Sequence, residues 1–162
     1  MKQFEYNALK KKYGSLQKFV HGTEVAVNFS CDLFPIDEVH KIAVLDMRIL
    51  NCDRNDENIL VVKKKNTKGE REFKLIPIDH ALSFPDCIEI NEYEICWMGW
   101  EHSQKPFSKK MKDYIANIDI LEDMKKISDV VKIRPKCLQN YRVANLLLKI
   151  AACEYNLTPY LS

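Results

Sequence analysis

The sequence predicts an α+β fold that is mostly helical and carries one small β-hairpin. Apolar residues recur at helical spacing from residue 37 to 51 and again in three later segments, each opened by a capping residue or a proline. Two runs of strand-forming residues, 58–64 and 70–78, flank a polar Lys65-Asn66-Thr67-Lys68-Gly69 turn. The chain has 162 residues, 46% hydrophobic and 30% charged, which suits one folded domain rather than two, or a disordered tail.

Residues 1–20 are basic, with Lys2, Lys10, Lys11, Lys12 and Lys18 interleaved among Phe4, Tyr6, Tyr13 and Phe19. Such a stretch suits a solvated edge, or a contact with RNA or a membrane surface; no recognition motif accompanies it. Residues 22–36 contain Gly22, Asn28, Ser30 and Pro35 and read as an irregular connection. From Asp37 to Asn51 the apolar face widens until little of the helix is left for solvent, so a buried helix is expected, with Asp37 and Glu38 at the end where acids suit the dipole. Asp46 falls on its apolar stripe, as a catalytic carboxylate or as a buried anchor for a neighbouring loop. The need of a buried carboxylate for partners favours the anchor. After the hairpin, Ser108 caps a helix to about Ile118, Asp119 caps another to about Val130, and Pro135 opens a long helix over Lys136 to Tyr155, before Pro159.

Several function classes are excluded or disfavoured. A net charge of +2 carries no global signal for nucleic acid. Only 4 glycines limit phosphate-cradling loops, and apolar runs of four residues fall far short of the ~20 a membrane span needs. The N-terminus lacks the apolar core of a secretory signal, so the chain is expected in the cytoplasm, its six cysteines reduced. No C-x-x-C pair or zinc-finger histidine spacing occurs.

The chemistry concentrates in Asn51-Cys52-Asp53-Arg54-Asn55-Asp56-Glu57-Asn58, a polar loop between the buried helix and the first strand. Asp53 and Asn58 have the Asp-to-Asn spacing of a kinase catalytic loop, where the Asp accepts a hydroxyl proton and the Asn holds magnesium. Asp79 leaves the second strand and enters a loop before His80. A carboxylate and an amide oxygen from adjacent strands suit a hard cation. Asp56 and Glu57 are read as solvation or helix-dipole residues rather than metal ligands.

The ordered motifs resemble the C-terminal lobe of the phosphatidylinositol 3- and 4-kinase family, and within it the plant and protist phosphatidylinositol 4-kinase gamma group, often joined to ubiquitin-like domains. The likeness rests on Tyr13-Gly14-Ser15-Leu16-Gln17-Lys18-Phe19-Val20, Val39-His40-Lys41-Ile42-Ala43-Val44-Leu45-Asp46-Met47-Arg48, Leu75-Ile76-Pro77-Ile78-Asp79-His80, Lys105-Pro106-Phe107-Ser108 and Leu157-Thr158-Pro159. It implies a kinase-like C-lobe over 1–162, with a post-hinge segment (1–36), a catalytic and metal-binding core (37–94) and C-terminal helices (95–162). It implies Asp53 and Arg54 as catalytic residues, Asn58 and Asp79 as ligands of Mg2+ and of ATP, and a phosphatidylinositol or protein hydroxyl as acceptor, with peripheral membrane contact. Two positions depart from the family pattern: Asn55 stands where a histidine is usual, and Ala81 where a glycine is usual. A glycine-rich loop and strand lysine are not found, so the nucleotide-binding N-lobe is expected to be missing, and a non-catalytic, kinase-derived binding module is the alternative. The acids Asp86, Glu89, Glu92 and Glu94, with no Lys or Arg across 80–94, suit a basic protein segment better than an anionic head group, or merely pack beneath the aromatic cluster of Tyr93, Trp97 and Trp100.

Overall fold

The computed structural model describes residues 18–65, 69, 71–87 and 95–162. The basic tract before Lys18, most of the hairpin tip and the acids Glu89, Glu92 and Glu94 lie outside the described residues. Within them the architecture is α+β, with four α-helices, a three-stranded antiparallel sheet and several 3-10 turns.

The sheet has the order β1 (Thr23–Val25), β2 (Ile59–Lys65), β3 (Arg71–Pro77). The predicted hairpin is β2–β3, in a register that sets Ile59 against Pro77 and Lys65 against Arg71. Strand β1 corrects the expectation of an irregular 22–36 segment. It is three residues long, too short for a periodic signal, and exists by pairing Thr23 with Val62 and Val25 with Leu60. Alternation along β2 buries Ile59 and Val61 and turns Leu60 and Val62 to the other face.

Helix α1 (Ile36–Ile49) lies between two cores. Val39, Ile42 and Ala43 pack with Ile59, Val61, Leu75, Phe34 and Trp97 on the sheet side. Val44 packs with Met111, Ile115, Tyr141 and Leu148 on the helical side. Both flanks of the helix are therefore covered, as its wide apolar face predicts. Glu38 at its start accepts a hydrogen bond from the Leu75 backbone N–H at 3.1 Å, which occupies a donor on the outer edge of β3. The helix ends where Leu50 adopts left-handed backbone angles, φ 50° and ψ 53°.

The other helices start where capping chemistry places them. Ser108 Oγ accepts from the Met111 N–H at the head of α2 (Lys109–Ala116), and Asp119 accepts from the Glu122 N–H at the head of α3 (Ile120–Val130). Pro135 is the first residue of α4 (Pro135–Lys149), which continues as a π-helical turn over Ile150–Glu154. Arg48 on α1 ties the bundle together. Its guanidinium donates to Asn145 Oδ1 (2.9 Å), Tyr114 O–H (2.7 Å), Asp123 Oδ2 (2.6 Å) and Tyr141 O–H (2.9 Å), reaching α2, α3 and α4 at once. Two buried histidines tie α1 to the preceding and following loops: His40 Nε2 donates to the His102 carbonyl at 2.8 Å, and His102 Nε2 to the Phe34 carbonyl at 3.0 Å. No described helix is long and apolar enough to cross a membrane.

Candidate active site

The loop after α1 is held from beneath by a buried ion pair. Asp46 and Arg54 have side chains 1% and 0% exposed and meet at 2.9 Å. A carboxylate withdrawn from water needs every lone pair engaged. Asp46 Oδ1 accepts from Arg54 Nη2 and Nε and from Asn51 Nδ2, while Oδ2 accepts from Arg54 Nε and from the Trp97 indole N–H at 3.0 Å. Asp46 is thus the anchor that the buried stripe favours. The polar Asn51 and the distant Trp97 have no signature in the sequence; they are recruited because a buried carboxylate must find donors and a buried indole an acceptor.

Arg54 spends its remaining donors on the site. Nη1 donates to the carbonyls of Asn58 (2.9 Å) and Ile78 (2.5 Å), and Nη2 donates to His80 Nδ1 at 2.9 Å. One planar fork therefore grips the backbone at the head of β2 and the tail of β3. The Ile78 N–H donates to the Asn58 carbonyl at 2.9 Å, closing the same junction. Asn58 and the Ile78–Asp79 turn consequently meet at one end of the hairpin. Arg54 is fully buried with all its N–H groups engaged, so it acts on this geometry from within rather than reaching the surface.

His80 must present an unprotonated Nδ1 to the guanidinium, which fixes its proton on Nε2. Burial, then the Arg54 charge, lowers its pKa below the ordinary imidazole value.

The surface of the loop is ordered by its own amides. Asn51 Oδ1 accepts from the Asp53 N–H at 3.1 Å. Asn55 Oδ1 accepts from the Asn58 N–H at 3.1 Å and caps the 3-10 turn Asp56–Asn58; its Nδ2 donates to Asp53 Oδ1 at 3.4 Å. Asn58 Nδ2 donates to the Asp53 carbonyl at 3.2 Å, so the side chain turns its amide nitrogen inward. Asp56 and Glu57 occupy the first turn of that 3-10 segment, where acids suit the dipole. Asp53 and Asp79 are exposed.

Asp79 has φ 49°, a left-handed conformation that aspartate tolerates better than most residues and that is often found at functional turns. Its Oδ1 accepts from the Ala81 N–H at 3.1 Å. Ala81 itself is not among the residues with positive φ, so this loop does not require a glycine there. The segment then returns to α1: Cys52 N–H donates to the Leu82 carbonyl (3.1 Å) and Phe84 N–H to the Ile49 carbonyl (2.8 Å). Beside the junction lies a groove of about 600 Å³, lined by Phe19, Val20, Leu60, Ile76, Ile78 and His80 among others. Its floor is the face of the hairpin opposite buried Ile59, Val61 and Leu75.

The residues fit a magnesium–nucleotide pair better than a dedicated metal cage. Asn58 Oδ1 and Asp79 Oδ2 are hard oxygens from adjacent strand ends, with no hydrogen-bond donor among the described residues. No group of three or more His, Cys, Asp or Glu among the described residues forms a complete metal site. Magnesium is commonly held by one or two protein groups together with substrate phosphates.

Residues 1–159 match the family Phosphatidylinositol 3- and 4-kinase. The chain belongs to that family. Its relatives include phosphatidylinositol 4-kinase gamma 4 of Oryza sativa subsp. japonica, 37% identical over 150 residues, covering 92% of this chain and 25% of that protein. Phosphatidylinositol 4-kinase gamma 6 of Arabidopsis thaliana is 38% identical over 145 residues, 87% of this chain and 23% of that protein. Phosphatidylinositol 4-kinase gamma 3 of Arabidopsis thaliana is 33% identical over 158 residues, covering 97% and 26%. The chain spans about a quarter of the length of these curated relatives.

Proposed function

We propose that this chain is the C-lobe of a phosphoinositide kinase and carries the part of the site that orients the nucleotide phosphates and the acceptor hydroxyl. What supports the reading is the Arg54 fork, which ties the Asn58 and Ile78 carbonyls into one junction, with Asp79 next in the chain. Asn58 Oδ1 and the Asp79 carboxylate would hold Mg2+ with ATP. The ion would supply charge neutralisation on the phosphates. Asp53, exposed and steadied through Asn51 and Asn55, would accept the proton of a phosphatidylinositol or protein hydroxyl as it attacks. Leu60, Ile76 and Ile78 offer an apolar floor suited to a planar base. In this reading Arg54 is a positioning residue rather than the catalytic residue that the family resemblance implies.

The alternative, a non-catalytic binding module, draws on the departures at Asn55 and Ala81. Yet Asn55 caps the 3-10 turn and braces Asp53, which accounts for that residue without loss of loop order.

The test is a kinase assay of the full-length protein on phosphatidylinositol vesicles and on a protein acceptor, with Asp79→Asn and Asp53→Asn variants. Losses of at least ~100-fold in transfer with intact melting transitions are expected, in line with the charge stabilisation being removed. Unchanged transfer in Asp79→Asn would refute the metal assignment. A wild-type protein that neither transfers phosphate nor shifts its melting point with Mg-ATP would favour the binding module.

A further inference from the structure

The buried Arg54 fork reaches outward through one exposed side chain. Its Nη2 donates to His80 Nδ1 at 2.9 Å. A guanidinium can only donate, so Nδ1 carries a lone pair and the imidazole proton sits on Nε2, at the other edge of the ring. The Nε2–H has no acceptor among the described residues. His80 is exposed and lines the groove of about 600 Å³ beside the hairpin. The ring is therefore held by its inner nitrogen and offers its outer N–H.

The surroundings narrow what that N–H can meet. Leu60, Ile76 and Ile78 form the apolar part of the same wall. His80 follows Ile78 after Asp79, whose left-handed turn at φ 49° closes the run. A polar donor next to the Asp79 carboxylate suits the charged end of a nucleotide rather than its base. The neighbouring donors are already committed. Arg54 is fully buried and engaged, Asn55 Nδ2 donates to Asp53 Oδ1 at 3.4 Å, and Asn58 Nδ2 donates to the Asp53 carbonyl at 3.2 Å. Lys18 lines the groove as well, exposed on the segment before β1.

We propose that His80 Nε2–H donates a hydrogen bond to a phosphate oxygen of the bound nucleotide, a role that rests on the phosphoryl-transfer reading above. Asp46 holds Arg54, Arg54 holds the tautomer and tilt of the imidazole, and the imidazole orients the phosphate. A hydrogen bond to an ionised oxygen is shorter and stronger than one between neutral groups. Little side-chain freedom is lost in making it, because the Arg54 contact has already fixed the ring.

Calorimetric titration of the full-length protein with Mg-ATP and with adenosine tests it, alongside steady-state kinetics. His80→Asn keeps an acceptor at the Nδ1 position for Arg54 and withdraws the outer donor. His80→Gln carries an amide N–H out to the Nε2 position. His80→Asn is expected to weaken Mg-ATP binding ~tenfold or more, to leave adenosine within ~twofold, and to raise KM for ATP but not for the acceptor. His80→Gln is expected to recover most of that loss. A purely structural role for the ring would be served by His80→Asn and would move ATP and adenosine together. The position is exposed, so melting curves stay near wild type; if His80→Asn fails to fold, His80→Ala replaces it. Three results overturn the proposal while leaving the phosphoryl-transfer reading intact. They are unchanged Mg-ATP affinity in His80→Asn, an equal loss for adenosine, and a loss seen in Lys18→Gln instead. A wild-type protein that binds no Mg-ATP, or whose binding ignores Asp79→Asn, overturns that reading and the His80 contact with it.

Discussion

Replacing Asp46 by asparagine tests the buried anchor most severely. The substitution keeps the volume of the side chain and removes its charge. No rotamer of the amide rescues the contacts. With nitrogen at the Oδ2 position it meets the Trp97 indole N–H and Arg54 Nε; at the Oδ1 position it meets Arg54 Nε and Nη2 and Asn51 Nδ2. Either way donor faces donor, and a guanidinium 0% exposed is left without its counter-charge. Breaking a buried pair from one side costs about 3–5 kcal/mol. That is a large share of the ~5–15 kcal/mol that stabilises an ordinary domain, and for a chain of this size it lowers Tm by about 10 °C. Urea unfolding at neutral pH measures the loss directly. The double variant Asp46→Leu/Arg54→Met removes both charges and is expected to be less destabilised than Asp46→Asn. It nevertheless loses the grip on the Asn58 and Ile78 carbonyls, so the phosphoryl transfer proposed above is expected to fall in both variants. An Asp46→Asn protein within 0.5 kcal/mol of wild type (small beside the ~3 kcal/mol expected) would refute the account of the loop.

Three further outcomes follow from particular contacts. Burial lowers the His40 pKa below its ordinary 6.5, so the unfolded chain binds the extra proton first. Stability is full above about pH 6.5 and falls as the pH drops from there through the lower folded-state pKa; urea midpoints across this range show the slope, and His40→Gln flattens it, with His80→Ala as the control for the second depressed histidine. Arg48→Lys cannot reproduce a fork that reaches Asn145, Tyr114, Asp123 and Tyr141 together; a loss of about 1–3 kcal/mol in thermal unfolding is expected. Burial pushes the Cys96 thiol up to about 12, while Cys87 and Cys153 are exposed; iodoacetamide at mildly alkaline pH is expected to label Cys87 and Cys153 in the native protein and Cys96 only after denaturation, as read by mass spectrometry.

Much of this fold is legible in the sequence. Helix α1 runs over Ile36–Ile49 against an expected 37–51, because a wide apolar face at helical period has no other low-energy solution. The hairpin and the three later helices begin where turn residues, Ser108, Asp119 and Pro135 indicate. These are local signals, carried by residues within a few positions of one another. The long C-terminal helix was less sharply bounded: α4 proper ends at Lys149, and a π-helical turn carries it to Glu154. Strand β1 was not legible, since three residues become a strand only when β2 supplies hydrogen-bond partners.

The candidate site divides in the same way. By itself the sequence determined the residue types and spacing of the loop from Asp53 to Asn58, the Asp79 turn, and the wish of Asp46 for a buried partner. Only the tertiary structure decided which partner it took. Arg54, beside Asp53 in the chain, turns inward because the buried Asp46 carboxylate lies beneath it, and Trp97, 51 positions beyond Asp46, completes the shell. Spacing along a chain can place groups on one face of one element. Which distant donor satisfies a buried charge depends on how the elements pack, and that is settled by the cost of leaving the charge unpaired.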